Sequence, residues 1–139
     1  MHRGPVALSA ALLILIVLVW PTGAAQAHGD CKSHASLVRI SNDSLYAAGN
    51  FICSAPRHAL LKLTVSLWRC NSDACSTTTA DIVRIKGFQC EECKSMASSF
   101  TVDCPGDGTY RTVVKGYAFN KTGGLAESDT GSIKKRINC

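Results

Sequence analysis

The chain has 139 residues, only 18% of them charged, with eight cysteines and a formal net charge of +5. That length accommodates one domain with a modest core. The weak positive balance, with no basic stripe interleaved with aromatics, excludes a dedicated nucleic-acid binder; only Lys134-Lys135-Arg136 approaches one, and it reads as a solvated strand end.

In chain order, a short positive stretch with His2 and Arg3 precedes the apolar run Ala7 to Trp20. As a helix at 1.5 Å per residue this run would measure about 21 Å, too short for a hydrocarbon core of about 30 Å. Pro21 and Gly23 break it, and Ala25-Gln26-Ala27 offers small residues at a cleavage point. Residues 1–27 are therefore expected to be a cleaved secretory signal peptide, with residues 28–139 as the mature domain. The mature part carries 14 basic and 10 acidic residues, a net charge of about +4. No cysteine follows the cleavage point directly and the run Lys134 to Cys139 is not apolar, so neither a lipid nor a second anchor is expected. The expected location is extracellular, free or held non-covalently at the cell envelope.

After residue 27 no helical periodicity is sustained. Short β-rich runs recur near 34–40, 45–53, 59–70, 80–88, 98–104, 109–119 and 130–138, separated by turn residues such as Ser41-Asn42-Asp43, Asn71-Ser72-Asp73 and Pro105-Gly106-Asp107-Gly108. Seven short strands in a chain of this size predict an all-β, seven-stranded immunoglobulin-like antiparallel sandwich. In the third run Leu61, Leu63, Val65 and Leu67 alternate with Lys62, Thr64, Ser66 and Trp68, so the first set is expected to face the core. The sixth run is ambiguous, because Tyr110, Thr112, Val114, Gly116, Ala118 and the alternate Arg111, Val113, Lys115, Tyr117, Phe119 both contain apolar residues.

An even set of thiols downstream of an export signal predicts a disulfide framework. Alternating strand direction places Cys31, Cys53, Cys90 and Cys93 at one end of the sandwich and Cys70, Cys75, Cys104 and Cys139 at the other. Bridged Cα atoms lie about 4.4–6.8 Å apart, so partners must share an end. The simplest solution is sequential: Cys31–Cys53, Cys70–Cys75, Cys90–Cys93 and Cys104–Cys139. Exchange among the four cysteines of the first end stays open. The two long-range bridges are expected to substitute for a bridge through the core, and the two short ones to clamp hairpins.

Asp107-Gly108-Thr109-Tyr110 resembles the tyrosine corner of immunoglobulin-like sandwiches, in which the Tyr hydroxyl bonds back to nearby backbone. The position two residues on is Thr112 rather than Cys, so the usual core bridge is missing. The mature chain also resembles a group of small secreted actinobacterial proteins with immunoglobulin-like sandwiches. The resemblance rests on a cysteine near the mature start, one ending the second strand, the run Cys104 to Thr112 with its Gly-Thr-Tyr-Arg-Thr, and the last cysteine. It implies a fold and a location, and no catalytic motif belongs to it.

Several constellations bear on chemistry. Cys90-Glu91-Glu92-Cys93 has redox spacing, but a reactive thiol needs a helix N-terminus or nearby cations, and two glutamates act the other way. Zinc through Cys70, Cys75, Cys90 and Cys93 would require an extended strand to hold its two pairs together. His28, at the mature N-terminus, resembles the first ligand of copper proteins with a histidine brace, but the only other mature histidines are His34 and His58 and no further ligand follows downstream. No G-x-S-x-G or free thiol offers a nucleophile. Asp103 and Asp107 lack support as a catalytic pair, and Asp107 is assigned to the corner with Tyr110. The chain is thus expected to be a non-enzyme without a cofactor, and a monomer.

The candidate site is a face. If strands three and six are neighbours, their outward residues form a strip of Lys62, Trp68, Arg111, Lys115, Tyr117 and Phe119, suited to a cell-envelope polymer or a protein partner. A secreted inhibitor or toxin presenting the Cys70–Cys75 loop, and a copper protein using His28, are the alternatives.

Overall fold

A computed structural model describes residues 30–41, 43–54, 58–72, 75 and 80–139. The expected signal peptide and His28 lie outside these residues. The seven strands are β1 (Cys31–Ser41), β2 (Ser44–Cys53), β3 (Leu60–Cys70), β4 (Ala80–Glu91), β5 (Ser95–Asp103), β6 (Gly108–Phe119) and β7 (Leu125–Ile137). They form two antiparallel sheets, ordered β1-β2-β5 and β4-β3-β6-β7. Constant-type immunoglobulin domains place the fourth strand with the first, second and fifth. Here it stays hydrogen-bonded to β3, its sequence neighbour, making the second sheet one strand wider. The largest departure from the sequence reading is at the start of β7, which begins at Leu125; β1 and β5 each begin three residues early, at Cys31 and Ser95, and β4 runs three residues longer, to Glu91. Ser95 pairs with Ile52 and Leu125 with Phe119, so these ends follow cross-strand pairing rather than local propensity.

The core follows the period-2 pattern. Leu61, Leu63, Val65 and Leu67 of β3 are fully buried, as are Leu45, Ala47 and Phe51 of β2. The ambiguity in β6 resolves toward Tyr110, Thr112, Val114, Gly116 and Ala118, all of which are buried. The sheets approach through glycine-and-bulk pairs: a Cβ on Gly49 would overlap Val114, and one on Gly116 would overlap the Phe51 ring. Each glycine thereby makes room for a side chain from the opposite sheet. Thr112, where a core bridge would require cysteine, is fully buried and its hydroxyl has no partner.

Both open sides of the sandwich are laced by side chains. On one, Asp129 of β7 accepts the Ser33 amide at 2.6 Å with its carboxylate and the Ser33 hydroxyl at 3.0 Å with its carbonyl. On the other, Arg84 and Lys86 of β4 donate to the carbonyls of Thr101 and Ser99 at 3.2 and 3.3 Å. Edge strands with unmet backbone groups invite further pairing, and inward-pointing charges block it.

The four disulfides are Cys31–Cys53, Cys70–Cys75, Cys90–Cys93 and Cys104–Cys139. The expected division of labour among them changes. Cys31 and Cys53 are register partners within one sheet, so their bridge does not cross the core. Cys90–Cys93 clamps no hairpin, because β4 and β5 belong to different sheets. It joins the sheets at one end of the sandwich, and Cys104–Cys139, from the end of β5 to the end of β7, joins them at the other.

Candidate functional site

The outer face of the four-stranded sheet follows directly from the strand registers. Trp68 lies opposite Arg111 on β6 and Ile82 on β4; Ser66 opposite Val113 and Ile85; Thr64 opposite Lys115 and Gly87; Lys62 opposite Tyr117 and Gln89. The expected neighbours, Trp68 with Arg111 and Lys62 with Tyr117, are thus direct cross-strand pairs. β7 adds Ser128, Thr130, Ser132, Lys134 and Arg136 beside Tyr117, Lys115, Val113, Arg111 and Thr109. The Lys134-to-Arg136 run, read from sequence as a solvated strand end, alternates so that Lys134 and Arg136 share this face.

A groove of about 180 Å³ runs between Trp68, Ile85, Val113, Lys115 and Tyr117, floored by Thr64 and Ser66. Ser66 is buried and donates to the Val113 carbonyl at 3.2 Å, while its oxygen accepts the Trp68 indole N–H at 2.9 Å. That bond holds the indole in place and occupies its one donor, so Trp68 offers a ligand ring surface rather than a hydrogen bond. Gly87 leaves the groove open toward a second depression beside Lys62, Phe88 and Gln89. Ile82 and Ile85 are 53% and 58% exposed. A folding core has no use for apolar side chains left so exposed side by side.

The residues of the expected strip do not all play one part. Lys115 is exposed beside the groove. Arg111 is half-buried and already bonded, to the Cys75 carbonyl at 3.3 Å and the Ser132 hydroxyl at 3.2 Å; it buttresses the strip. Lys62 lies over the Phe119 ring, 5.2 Å from its centroid, placing that pair at the far end. Sequence reasoning missed Ile82 and Ile85. A bulge at Val83, between the pairs Leu67–Arg84 and Trp68–Ile82, puts both isoleucines on one face although they stand three residues apart.

The corner is built as the resemblance implies, with one change of role. The Tyr110 hydroxyl donates to the Gly106 carbonyl at 2.6 Å. Burial pushes the Tyr110 phenol pKa up; Arg69 opposes the shift and Asp107 adds to it. Asp107 does not meet that hydroxyl through its carboxylate, which instead accepts the Cys139 amide at 2.7 Å.

The remaining candidates separate. His34 lies on the outer face of the three-stranded sheet, in a shallow depression with Tyr46, Ala48 and Asn50. His58, just ahead of β3, lies beside Cys31 at the start of β1 and 3.4 Å from Glu127, which also accepts the Asp30 amide at 2.8 Å. Cys31, Cys53 and His58 bring their ligand atoms within 4.8 Å of one another, but the two sulfurs are bonded to each other and offer no thiolate. Cys90, near the end of β4, and Cys93, just after it, are likewise bridged. The Cys70–Cys75 loop is anchored by Cys75, which is buried and left-handed at φ 46°; Asp73 and Ala74 lie outside the described residues.

Fold and disulfides together define a disulfide-stapled, immunoglobulin-like β-sandwich. No protein-family model and no curated protein matches the chain. Among solved structures it is similar to part of a beta-glucuronidase from Bacteroides uniformis, with 16% identity and a TM-score of 0.48 over 78% of this chain and 14% of that one. It is also similar to part of a beta-glucosidase from Kluyveromyces marxianus, at 5% identity, TM-score 0.43 and the same coverage. Beta-glucosidase 3B from Thermotoga neapolitana matches at 8% identity and TM-score 0.42, over 78% of this chain and 17% of that one. The chain spans less than a fifth of each, and at this level of likeness no activity carries over.

Proposed function

We propose that this protein is a small, exported, non-catalytic binding module that engages an extracellular or cell-envelope polymer through the outer face of its four-stranded sheet. The observation that carries the reading is the groove between Trp68 and Tyr117, with its hydroxyl floor and exposed Ile85, on a scaffold held by four disulfides. A rigid β-sheet face presents ring and aliphatic surface with little loss of conformational entropy on binding. The resemblance to small secreted actinobacterial sandwiches agrees in location and supplies no activity.

The test is binding of the oxidised protein to purified envelope polysaccharides, compared with W68A/Y117A. Circular dichroism and intact mass verify that the variant keeps its fold and four bridges. Wild-type protein should bind at least one polymer and the double variant should bind it at least about tenfold more weakly, each ring contributing on the order of 1 kcal/mol or more. Equal binding by a folded W68A/Y117A would remove this face from the function.

A further inference from the structure

We propose that the thiol form of the Cys31–Cys53 bridge is a Zn²⁺ site, completed by His58 and Glu127, that ties the two sheets together. The proposal is independent of the binding-module reading. Its donors come from the start of β1, the end of β2, the residues just ahead of β3, and β7. The ligand atoms of Cys31, Cys53 and His58 lie within 4.8 Å of one another. Glu127 Oε2 stands 3.0 Å from Cys31 Sγ and 3.4 Å from His58 Nε2, which is itself 3.6 Å from that sulfur. Tetrahedral zinc, with bonds of about 2.3 Å to sulfur and about 2.0–2.2 Å to nitrogen and oxygen, sets its ligand atoms about 3.4–3.8 Å apart. A disulfide makes no use of this convergence. Its sulfur has no proton to donate, so Glu127 Oε2 gains no hydrogen bond from Cys31. The other carboxylate oxygen accepts the Asp30 amide at 2.8 Å, which holds Glu127 beside the sulfur.

Opening the bridge takes two electrons. A dithiol reductant supplies them with two protons, closing its own disulfide and leaving Cys31 and Cys53 as thiols. Zinc then binds both thiolates and releases the two protons to solvent. The sulfurs have only to separate to about 3.8 Å, and the backbone around them is held independently of their bond. The Cys53 amide donates to the Lys94 carbonyl at 2.8 Å and the Ser54 amide to the Asp30 carbonyl at 2.7 Å. Two thiolates, an imidazole and a carboxylate suit zinc rather than calcium or magnesium, which take oxygen ligands. Both cysteines are buried, whereas the His58 side chain is 14% exposed and gives the metal its way in. The consequence is architectural. The disulfide links two strands of one sheet, while Glu127 and the strand that His58 leads into belong to the other. The metal thus replaces a link within a sheet by a link between sheets.

The experiment reduces the full chain with a phosphine, whose phosphorus takes an oxygen from water as the bridges become thiols. The chain is then alkylated with N-ethylmaleimide, with and without Zn²⁺, and peptide masses show which cysteines react. Zinc should slow alkylation of Cys31 and Cys53 at least about tenfold and leave the other six cysteines as reactive as before. Competition with a chromophoric chelator measures zinc affinity in the same samples. H58A and E127Q should each weaken it at least about tenfold, the scale for losing even an outer partner of a metal site. C90S/C93S, which removes the C-x-x-C thiols, should behave as wild type, and the oxidised protein should bind no zinc. Protection that falls on Cys90 and Cys93 instead, or that persists undiminished in H58A and E127Q, would overturn the site. So would equal zinc affinity in the oxidised protein, or a reduced chain that circular dichroism shows to stay unfolded with zinc present.

Discussion

The two ends of the sandwich carry the same disulfide plan and are otherwise built differently. At the end where β1 starts, one bridge lies within a sheet, Cys31–Cys53, and one joins the sheets, Cys90–Cys93. Beside them this end has isolated backbone bonds, such as Cys53 N to Lys94 O at 2.8 Å and Glu92 N to Ala59 O at 3.0 Å, and a few side-chain contacts: Glu127 with the Asp30 amide and His58, and the Ser54 hydroxyl with the Asp30 carbonyl. The opposite end has Cys70–Cys75 and the sheet-joining Cys104–Cys139, but side chains also grip its corner. Three successive carbonyls are each met by a side chain: Pro105 and Asp107 by the Arg69 guanidinium at 3.2 Å, Gly106 by the Tyr110 hydroxyl. Asp107 then holds the Cys139 amide, and Arg39 donates to the Asn138 carbonyl at 2.5 Å. Backbone polar groups in a turn need partners, and here the partners tie the corner to β3, β6 and β7 together. Both ends are stapled, and the second is the more densely woven.

That difference can be broken by mutation. The largest effect belongs to Cys104→Ser with Cys139→Ser. Opening a bridge of sequence separation 35 should cost about 4 kcal/mol on the chain-entropy account, against about 1.5 kcal/mol for Cys90→Ser with Cys93→Ser, whose separation is 3. Urea unfolding of both pairs measures the two costs, and equal costs would mean that loop closure does not decide them. If the woven corner carries part of the load, the Cys104/Cys139 variant should still unfold in one cooperative transition.

A smaller effect tests the weave itself. Tyr110→Phe should cost about 1 kcal/mol at pH 7, the net worth of one hydrogen bond. It also leaves a pH signature. Because the folded-state phenol pKa is raised, Tyr110 contributes stability that is fully present below its unfolded pKa of about 10 and is lost as pH rises through the folded value. The stability difference between wild type and Tyr110→Phe should therefore be constant at neutral pH and shrink above about pH 10. A difference that grew there would contradict the burial assigned to the hydroxyl. The smallest effect is expected at the other end: His58→Ala should cost about 0.5 kcal/mol, the low end of the net worth of one polar contact, here that with Glu127. A loss as large as that of Tyr110→Phe would show that this end is woven as tightly as the other.

Legibility varied with the range of the interaction. Strand number, the buried face of β3 and the end-by-end grouping of cysteines were readable, because each depends on the period-2 alternation and on strand direction alone. The inward face of β6 was not. Val113 and Val114 are equally apolar, and only packing of Gly116 against Phe51 and Val114 against Gly49 selects the face. The strip Lys62, Trp68, Lys115 and Tyr117 was legible as alternation plus one assumed pairing. Its apolar wall at Ile82 and Ile85 was hidden by the bulge at Val83, which shifts the alternation by one residue. Arg111 was assigned to ligand contact, yet it is held by Cys75 and Ser132, partners 36 and 21 residues away that no local pattern reveals.

By itself, then, the sequence determined an all-β chain of seven alternating strands with cysteines grouped at strand ends, since these are properties of local periodicity and chain reversal. Tertiary structure decided which sheet takes β4, which bridges join the sheets and which charges meet across the open sides. It also decided that Lys62, Arg111, Lys115, Lys134 and Arg136 share one face while the acids of β7 turn to β1. These outcomes depend on contacts between residues distant in sequence, and such contacts exist only once the sheets have stacked.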